Sequence, residues 1–159
     1  MKTLVAYCFI ALISLSAYSQ TPPSKKDKDL EKFWQTFRTA VIGKNKFQIS
    51  KMIQFPVANL ICHDTELKNG MPASSKKKFN KCFFEIFSQC VRKHFKKYPS
   101  TDHLIRTKEG QYQFLINMNY KFPNGKQAGE GAVTFTFAKV QGEYKIVMIM
   151  CVGGCGGNC

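Results

Sequence analysis

Three cysteines separated by glycine-rich steps lie in the segment CVGGCGGNC, from Cys151 to Cys159. Thiols at this spacing can form disulfides, bind a metal ion or perform redox chemistry. Redox sites usually carry a Cys-x-x-Cys pair at a helix N-terminus, which lowers the thiol pKa, and the sequence has no such pair. The segment could supply four metal ligands together with Cys62 and His63, but structural zinc sites usually combine closer pairs from two segments. A metal site is therefore the weaker alternative.

The choice among these chemistries depends on the compartment, which the N-terminal residues indicate. A lysine precedes the apolar run Leu4–Leu15, and small residues follow it in an Ala-x-Ser pattern that ends at Ser19. This is the three-part pattern of a secretory signal peptide. The run is shorter than the roughly 20 apolar residues of a spanning helix, and Gln20 stands where a lipoprotein would have cysteine. We expect cleavage near Ser19 and a soluble, exported product, either periplasmic or secreted.

An exported chain favours disulfides among the cysteines that remain after cleavage. Cys8 lies inside the apolar run and leaves with it. The other six are Cys62, Cys82, Cys90, Cys151, Cys155 and Cys159. In a continuous helix Cys82 and Cys90 would be about 12 Å apart, beyond the limit of about 7 Å between disulfide-bonded Cα atoms. These two are not expected to pair with each other, and buried free thiols are an alternative for both.

Acid-base residues are few and form no recognisable motif. The candidates are His63, Asp64, Glu66, Glu85, His94 and His103. His63 and Asp64 are adjacent, so in a strand their side chains point to opposite faces and cannot act as a pair. The sequence has no nucleophile–histidine signature, no Walker motif, no GxGxxG and no HExxH. It therefore identifies no catalytic residue, no metal site and no cofactor.

Basic residues concentrate between positions 76 and 97 of a chain whose formal net charge is +14. In a continuous helix, Lys77, Lys81, Arg92 and Lys96 would form one stripe opposite the phenylalanines. Such a stripe could bind an anionic glycan or a membrane surface. The alternative is a solvated face that keeps the protein soluble. The solvated face is favoured because the aromatic residues are expected to be buried rather than interleaved with lysines for base stacking. Nucleic acid is the weakest of these partners for an exported chain.

Apolar residues at steps of three and four predict three helices. The first covers 29–41, with Asp27 and Asp29 suited to its start and Gly43, in the left-handed conformation, suited to its end. A short second helix is expected to end at Pro56, and its apolar residues are Phe47, Ile49, Met52 and Ile53. A long third helix should run from Ser74 or Ser75 to a point before Pro99. Its apolar face would consist of Phe79, Cys82, Phe83, Ile86, Phe87, Cys90, Val91 and Phe95.

Strand signals occupy the rest of the chain. Residues 57–71 predict a hairpin with a turn at Asn69-Gly70, and three alternating segments after residue 110 predict an antiparallel meander. The fold class is α+β, with the helices packed on a curved antiparallel sheet in a single domain. The expected organisation is a signal peptide at 1–19, a flexible linker at 20–28, the folded domain at 29–152 and a Gly/Cys-rich tail at 153–159.

Two segments resemble a known superfamily. FWQTFRTAVIGKNKFQISKMIQFPV, which starts at Phe33, resembles the opening of small exported bacterial proteins with the nuclear-transport-factor-2-like, or cystatin-like, cone fold. GEYKIVMI, which starts at Gly142, resembles their last strand, and the likeness covers roughly Leu30 to Val152. The resemblance implies a conical pocket, or a cone filled by the protein's own side chains. The residues expected to line the pocket are Trp34, Phe37, Phe83, Phe114, Phe135 and Met148. It also implies Cys62 as the partner of the cysteine tail, because the last strand runs beside the first hairpin.

Two functions follow from the sequence and the resemblance. The first is an exported, non-enzymatic binding or interaction module, stabilised by disulfides, with an apolar pocket for a small ligand and a basic helix face. The second is a cone-fold hydrolase, dehydratase or isomerase that acts on a small apolar substrate. The first is favoured because no acid-base constellation stands out. The oligomeric state stays open, a homo-oligomer included.

Overall fold

A computed structural model of the chain describes residues 27–59, 72–73, 76–121 and 127–153. The predicted signal peptide, most of the linker, the turn at Asn69-Gly70 and the tail from residue 154 lie outside these residues. In the described ranges, no helix combines the length and the apolar character needed to cross a membrane.

The architecture is α+β in a single domain, as the sequence predicts, with helices packed on a curved sheet. The helices are α1 (Lys28–Ile42), α2 (Lys46–Lys51), α3 (Lys76–Lys81), α4 (Phe83–Ile86), α5 (Gln89–Lys97) and a 3₁₀ turn (Thr101–His103). The strands are β1 (Ile53–Asn59), β2 (Pro72–Ala73), β3 (Ile105–Arg106), β4 (Tyr112–Lys121), β5 (Gln127–Val140) and β6 (Glu143–Gly153). Their order in the sheet is β2-β1-β6-β5-β4-β3. β1 and β6 are parallel, so the sheet is mixed rather than wholly antiparallel.

Helix α1 follows its sequence pattern closely. Asp27 is the N-cap, and its Oδ1 accepts hydrogen bonds from the N–H groups of Asp29 (3.0 Å) and Leu30 (3.2 Å). Asp27 and Lys28, the two described residues of the predicted linker, thus belong to the folded domain. The six apolar residues that define the predicted stripe are all buried. They are Leu30, Phe33, Trp34, Phe37, Ala40 and Val41.

The end of α1 differs from the expected mechanism, although it lies at the expected glycine. Gly43 has φ −78°, and Lys44 holds the left-handed conformation with φ 57°. The N–H of Asn45 bonds the carbonyl of Ala40 (2.8 Å), and that of Lys44 bonds the carbonyl of Val41 (3.2 Å). This is the Schellman pattern, in which glycine is the preferred left-handed residue. The prediction that Gly43 supplies that conformation is therefore wrong.

Replacing Lys44 with glycine should raise the free energy of unfolding by about 0.5–1 kcal/mol. A side chain in the left-handed region costs roughly 1–2 kcal/mol, of which the greater freedom of glycine in the unfolded chain offsets a part. Lys32→Gly, at an exposed position inside α1, is the matched control and should cost about 1 kcal/mol. Urea unfolding compares the three proteins, and a loss of stability in both variants would contradict the assignment.

Helix α2 is shorter than predicted. It ends at Lys51, and the chain enters β1 at Ile53, before reaching Pro56. The carbonyl of Met52 accepts a hydrogen bond from the N–H of Ile146 in β6 at 2.8 Å, and this contact joins the chain to the sheet. The residue before a proline is also biased toward extended conformations. Pro56 is therefore a strand residue, and the prediction that it ends α2 is wrong.

The region of the third helix is divided into α3, α4 and α5. The interruptions lie at Cys82 and at Phe87–Ser88. Ser88 caps α5, where its Oγ accepts a hydrogen bond from the N–H of Val91 at 3.4 Å, and Arg92 donates a hydrogen bond to the carbonyl of Phe87. Serine competes with the helical backbone in this way and favours helix starts. All eight predicted apolar positions are nevertheless at most 2 % exposed, so the buried face continues across the interruptions.

The predicted meander is confirmed. Strand β4 pairs with β5 and β5 with β6, all antiparallel. Along β4 the side chains of Phe114 and Ile116 are buried, whereas Leu115 between them is 42 % exposed. Gln141 and Gly142 join β5 to β6, both with positive φ, as a type I′ hairpin turn requires. The meander supplies the surface on which α1 and α5 pack.

Candidate basic-aromatic surface

Two phenylalanine rings lie on the protein surface among lysines. Phe47 of α2 is 60 % exposed and Phe84 of α4 is 58 % exposed. Helices α2 to α4 contain six lysines and a single carboxylate, Glu85. Large exposed apolar side chains surrounded by charge are a feature of interaction sites rather than of ordinary surface. This region is therefore the strongest candidate for a functional surface.

Three lysines place their ammonium groups over these rings. The Nζ atom of Lys51 is 4.0 Å from the ring centroid of Phe47, and that of Lys76 is 4.7 Å from the same centroid. Lys46 lies 4.3 Å from the centroid of Phe84. All three distances are within the range of about 6 Å for cation–π attraction. We call these five residues, Lys46, Phe47, Lys51, Lys76 and Phe84, the basic-aromatic face.

The face is contiguous because its contacts cross from one helix to the next. Lys46 of α2 reaches the rings of Phe83 (5.4 Å) and Phe84 in α4, and Lys76 of α3 reaches Phe47 in α2. Buried neighbours hold the two helices in place, since Ile49 of α2 and Phe83 of α4 are both 0 % exposed. The rings and the charges thus sit on an anchored framework rather than on loose segments.

The basic stripe predicted from the sequence has a different arrangement. Lys77 and Lys81 belong to α3, whereas Arg92 and Lys96 belong to α5. The interruptions at Cys82 and Phe87–Ser88 lie between the two pairs, so the four do not share one helix. Arg92 is half-buried and donates a hydrogen bond to the carbonyl of Phe87. The prediction that one unbroken helix carries the stripe is therefore wrong, and whether these four bind polyanions stays a prediction.

Most of the residues predicted to line a pocket lie in a packed aromatic cluster. Met148 is half-buried. The others are at most 1 % exposed and comprise Trp34, Phe37, Phe83, Phe114 and Phe135. The ring of Trp34 makes an edge contact with Phe114 (4.9 Å between centroids) and stacks on Phe95 (5.4 Å). These rings fill the space between α1, α5 and the sheet with one another, and their part in ligand binding stays a prediction.

Two surface clefts flank α1 instead. One, of about 480 Å³, lies between α1 and the β5–β6 turn, where Lys32, Phe33 and Tyr144 are among its lining residues. The other, of about 620 Å³, lies between α1 and α2 and is lined mainly by polar residues such as Thr39 and Gln48. None of the six residues predicted to line a pocket forms part of the wall of either cleft.

A polar network at the first cleft fastens the start of α1 to the last hairpin. The Tyr144 hydroxyl donates a hydrogen bond to Oδ2 of Asp27 at 2.7 Å, and Lys139 Nζ lies 3.4 Å from the same oxygen. This hydrogen bond is the main reason that the pKa of Asp27 lies below its usual value of 3.8; the Leu30 N–H and Lys139 lower it further, against the effect of burial. Burial, followed by the Asp27 carboxylate, raises the pKa of Tyr144 above 10. The network stabilises ionised Asp27 and neutral Tyr144.

Asp27→Ala should lower the free energy of unfolding by about 1–2 kcal/mol at neutral pH, since it removes an N-cap and a hydrogen bond to a charged group. The folded-state pKa of Asp27 is lowered, so its contribution is present above the unfolded value near 4 and disappears as the pH falls through the folded value. The difference in the free energy of unfolding between variant and parent should therefore decrease as the pH falls. Asp29→Ala, in the same helical turn but 75 % exposed, is the control and should cost less; equal losses from both would contradict the assignment.

The acid-base candidates are dispersed. Glu85 is exposed on α4, His94 is half-buried on α5 with Nδ1 3.1 Å from the carbonyl oxygen of Cys90, and His103 is exposed in the 3₁₀ turn. The three candidates at positions 63–66 lie outside the described residues. Within the described segments, no group of three or more His, Cys, Asp and Glu side chains could hold a metal ion.

Two of the six cysteines have described side chains. Cys82 and Cys90 are both buried, at 1 % and 2 % exposed. The side chains of the other four lie outside the described residues, so the pairing stays a prediction. The backbone of Cys151 lies in β6. Asn59, near the position of Cys62 in the chain, pairs with Ile149 of the same strand.

Sequence reasoning missed the basic-aromatic face, although one signal for it was present. Phe84 follows Phe83 directly, and consecutive helical residues point about 100° apart, so only one of them can lie on the core side. Phe84 is indeed absent from the eight positions of the predicted buried face. Phe47 carried no comparable signal, because the short α2 pattern was compatible with burial.

Comparisons with known proteins place few constraints on the chain. It matches no protein-family model and no curated protein. Its fold is similar to that of a Xanthomonas campestris protein whose crystal structure is described as a candidate calcium/calmodulin dependent protein kinase II association domain, with a TM-score of 0.44 and 11 % sequence identity. The similarity covers 82 % of this chain and 89 % of that one.

Proposed function

We propose that the protein is an exported, disulfide-stabilised binding module without enzymatic activity, whose basic-aromatic face binds a partner with clustered negative charges. Anionic glycans and membrane surfaces share this chemistry. The observation that carries the proposal is the set of ammonium groups of Lys46, Lys51 and Lys76, each within 4.7 Å of the ring centroid of an exposed phenylalanine.

The ring contacts prepare these lysines for binding. A free lysine side chain loses much rotamer freedom when it is held against an anion. Here the attraction between each ammonium group and its ring already restricts that freedom. Each ammonium group nevertheless keeps N–H donors that can bond to phosphate, sulfate or carboxylate oxygens. A surface with this arrangement binds anions at a lower entropic cost than scattered lysines would.

The overall charge supports the same partner class. The formal net charge is +14, so long-range attraction should speed encounter with any polyanion. Among the residues of α2 to α4, six lysines against one carboxylate give the face the same sign as the whole molecule. Net charge alone explains solubility equally well, so the proposal rests on the arrangement of the rings and lysines.

Export and disulfide bonding belong to the proposal. They are supported by the signal-peptide pattern and by the six cysteines that remain after cleavage. The parallel pairing of β1 with β6 supports a covalent link between the Cys62 region and the cysteine tail, because Asn59 lies beside Ile149. N-terminal sequencing of the secreted protein and peptide mapping without reduction test these two parts.

Elution from a heparin column tests the binding surface. A variant with Lys46, Lys51 and Lys76 changed to glutamine should elute at clearly lower salt than the parent. The control changes Lys28, Lys32 and Lys108, which are exposed and lie outside the face, and alters the net charge equally. A third variant carries the substitutions Lys77→Gln, Lys81→Gln, Arg92→Gln and Lys96→Gln, which test the stripe predicted from the sequence. Equal shifts in the first two variants would mean that only total charge matters, which contradicts the proposal.

The enzymatic alternative, a hydrolase, dehydratase or isomerase acting on a small apolar substrate, has its adjacent acid-base candidates at positions 63–66, outside the described residues. The described candidates Glu85, His94 and His103 lie on three different elements. Mass spectrometry of small molecules retained by the purified protein separates the alternatives. A bound apolar metabolite that the protein converts would favour the enzyme.

A further inference from the structure

We infer that the basic-aromatic face is a docking surface for an anionic lipid bilayer, in which Phe47 and Phe84 enter the interface while the lysines contact lipid headgroups. This inference rests on the proposed function and identifies its partner. It explains a feature that a purely charged partner leaves unexplained, namely two phenylalanine rings that are 60 % and 58 % exposed.

A bilayer interface matches both halves of the face. Amphipathic surfaces bind bilayers through apolar area that enters the headgroup–acyl boundary, together with lysines that attract anionic lipids. Phe47 has two lysines beside its ring, since the Nζ atoms of Lys51 and Lys76 lie 4.0 and 4.7 Å from its centroid. When such a ring enters the boundary, the flexible lysine stems can keep their ammonium groups at headgroup level. Each exposed ring therefore lies beside at least one ammonium group.

The two rings are positioned to act together. Lys46 lies next to Phe47 in sequence and 4.3 Å from the ring centroid of Phe84. Lys46 thus connects α2, which carries Phe47, to the exposed ring of α4. Two rings on one supported surface contribute to the same binding event, whereas two isolated rings would each bind weakly.

A linear polyanion fits the face less completely than a bilayer does. Sulfated or phosphorylated glycans offer charge, which satisfies the lysines and leaves the rings in water. Single-stranded nucleic acid could stack its bases on the rings and is therefore an explicit alternative in the test. A bilayer is favoured because an exported protein meets anionic membrane surfaces, and because the rings are bordered by ammonium groups rather than left as open stacking platforms.

Co-sedimentation of the full mature, oxidised protein with lipid vesicles tests this inference. The vesicles contain phosphatidylcholine alone or with phosphatidylglycerol. We expect binding to the anionic vesicles only, and the double variant Phe47→Ala, Phe84→Ala should reduce the partition coefficient at least about tenfold. Its elution from heparin should stay close to that of the parent. The matched control is Ile105→Ala with Leu115→Ala, two side chains that are 55 % and 42 % exposed on β3 and β4; it should bind vesicles like the parent.

The remaining outcomes separate the bilayer inference from the proposed function. Vesicle binding that is unchanged in the double phenylalanine variant would overturn the bilayer inference, whereas salt-dependent heparin binding would keep the proposed function intact. Binding of a single-stranded oligonucleotide that depends on both rings, without vesicle binding, would identify nucleic acid as the partner instead. Absence of both heparin and vesicle binding would overturn the proposed function as well. Circular dichroism verifies that each variant is folded.

Discussion

Phe37→Ala should destabilise the protein by about 3–5 kcal/mol, the usual cost of removing a fully buried aromatic ring. Phe37 is 0 % exposed and stands at the centre of the aromatic cluster. The centroids of Phe95, Phe137 and Phe135 lie 5.2, 5.6 and 5.9 Å from its own. Truncation would leave a cavity that these rings cannot all close, because α5 and the sheet fix their positions.

Phe84→Ala is the matched control, since it removes the same side chain from the surface. Phe84 is 58 % exposed, and its loss should cost no more than about 1 kcal/mol, from its contacts with Lys46 and Phe83. Urea unfolding at neutral pH measures both variants, with a large shift in midpoint for Phe37→Ala at an unchanged slope. Similar losses of stability in the two variants would contradict the distinction between the buried and the exposed ring. They would also contradict the assignment of the basic-aromatic face.

Reduction of the mature protein should lower its melting temperature by roughly 15 °C. A disulfide between Cys62 and the tail closes a loop of about 90 residues, for which the chain-entropy estimate is about 4 kcal/mol. Disulfides at the buried Cys82 and Cys90, which belong to the proposed function, would add to this effect. Scanning calorimetry with and without reductant measures the difference.

A chelator provides the control for the reduction experiment. Chelation should leave the melting temperature unchanged, because disulfides need no metal. Stoichiometric zinc that is lost in chelator together with the fold would support the metal alternative that the tail cysteines also allow. Six free thiols in the native protein would mean that no disulfide links the tail to the folded domain.

The strongly periodic parts of the chain could be predicted from the sequence. In α1, the Asp27 cap and the apolar stripe specify the same helix, and Gly43 indicates the position of its end, although Lys44 takes the left-handed conformation there. In the meander, alternation and turn residues likewise agree. The end of α2 could not be predicted, because it depends on the hydrogen bond between Met52 and Ile146, which are distant in sequence. The interruption at Ser88 has a local signal, but the continuous apolar spacing around it favoured an unbroken helix.

The candidate surface was less predictable than the fold. The concentration of lysines was evident, and so was the position of Phe84 outside the buried face. The contacts of Lys46 and Lys76 were not, because they join α2 to α4 and α3 to α2. Such contacts depend on how helices pack, which the periodicity of a single helix does not determine. The expectation that aromatic residues would not be interleaved with lysines holds for the core but not for this face.

The salt dependence of heparin binding tests the central claim most directly. Each lysine that contacts the polyanion releases counterions, so the slope of log affinity against log salt concentration counts contacts. We predict that glutamine at Lys46, Lys51 and Lys76 lowers the slope by about two to three, whereas the same change at Lys28, Lys32 and Lys108 leaves it nearly unchanged. Identical slopes for both variants would contradict the assignment of the basic-aromatic face as the binding surface.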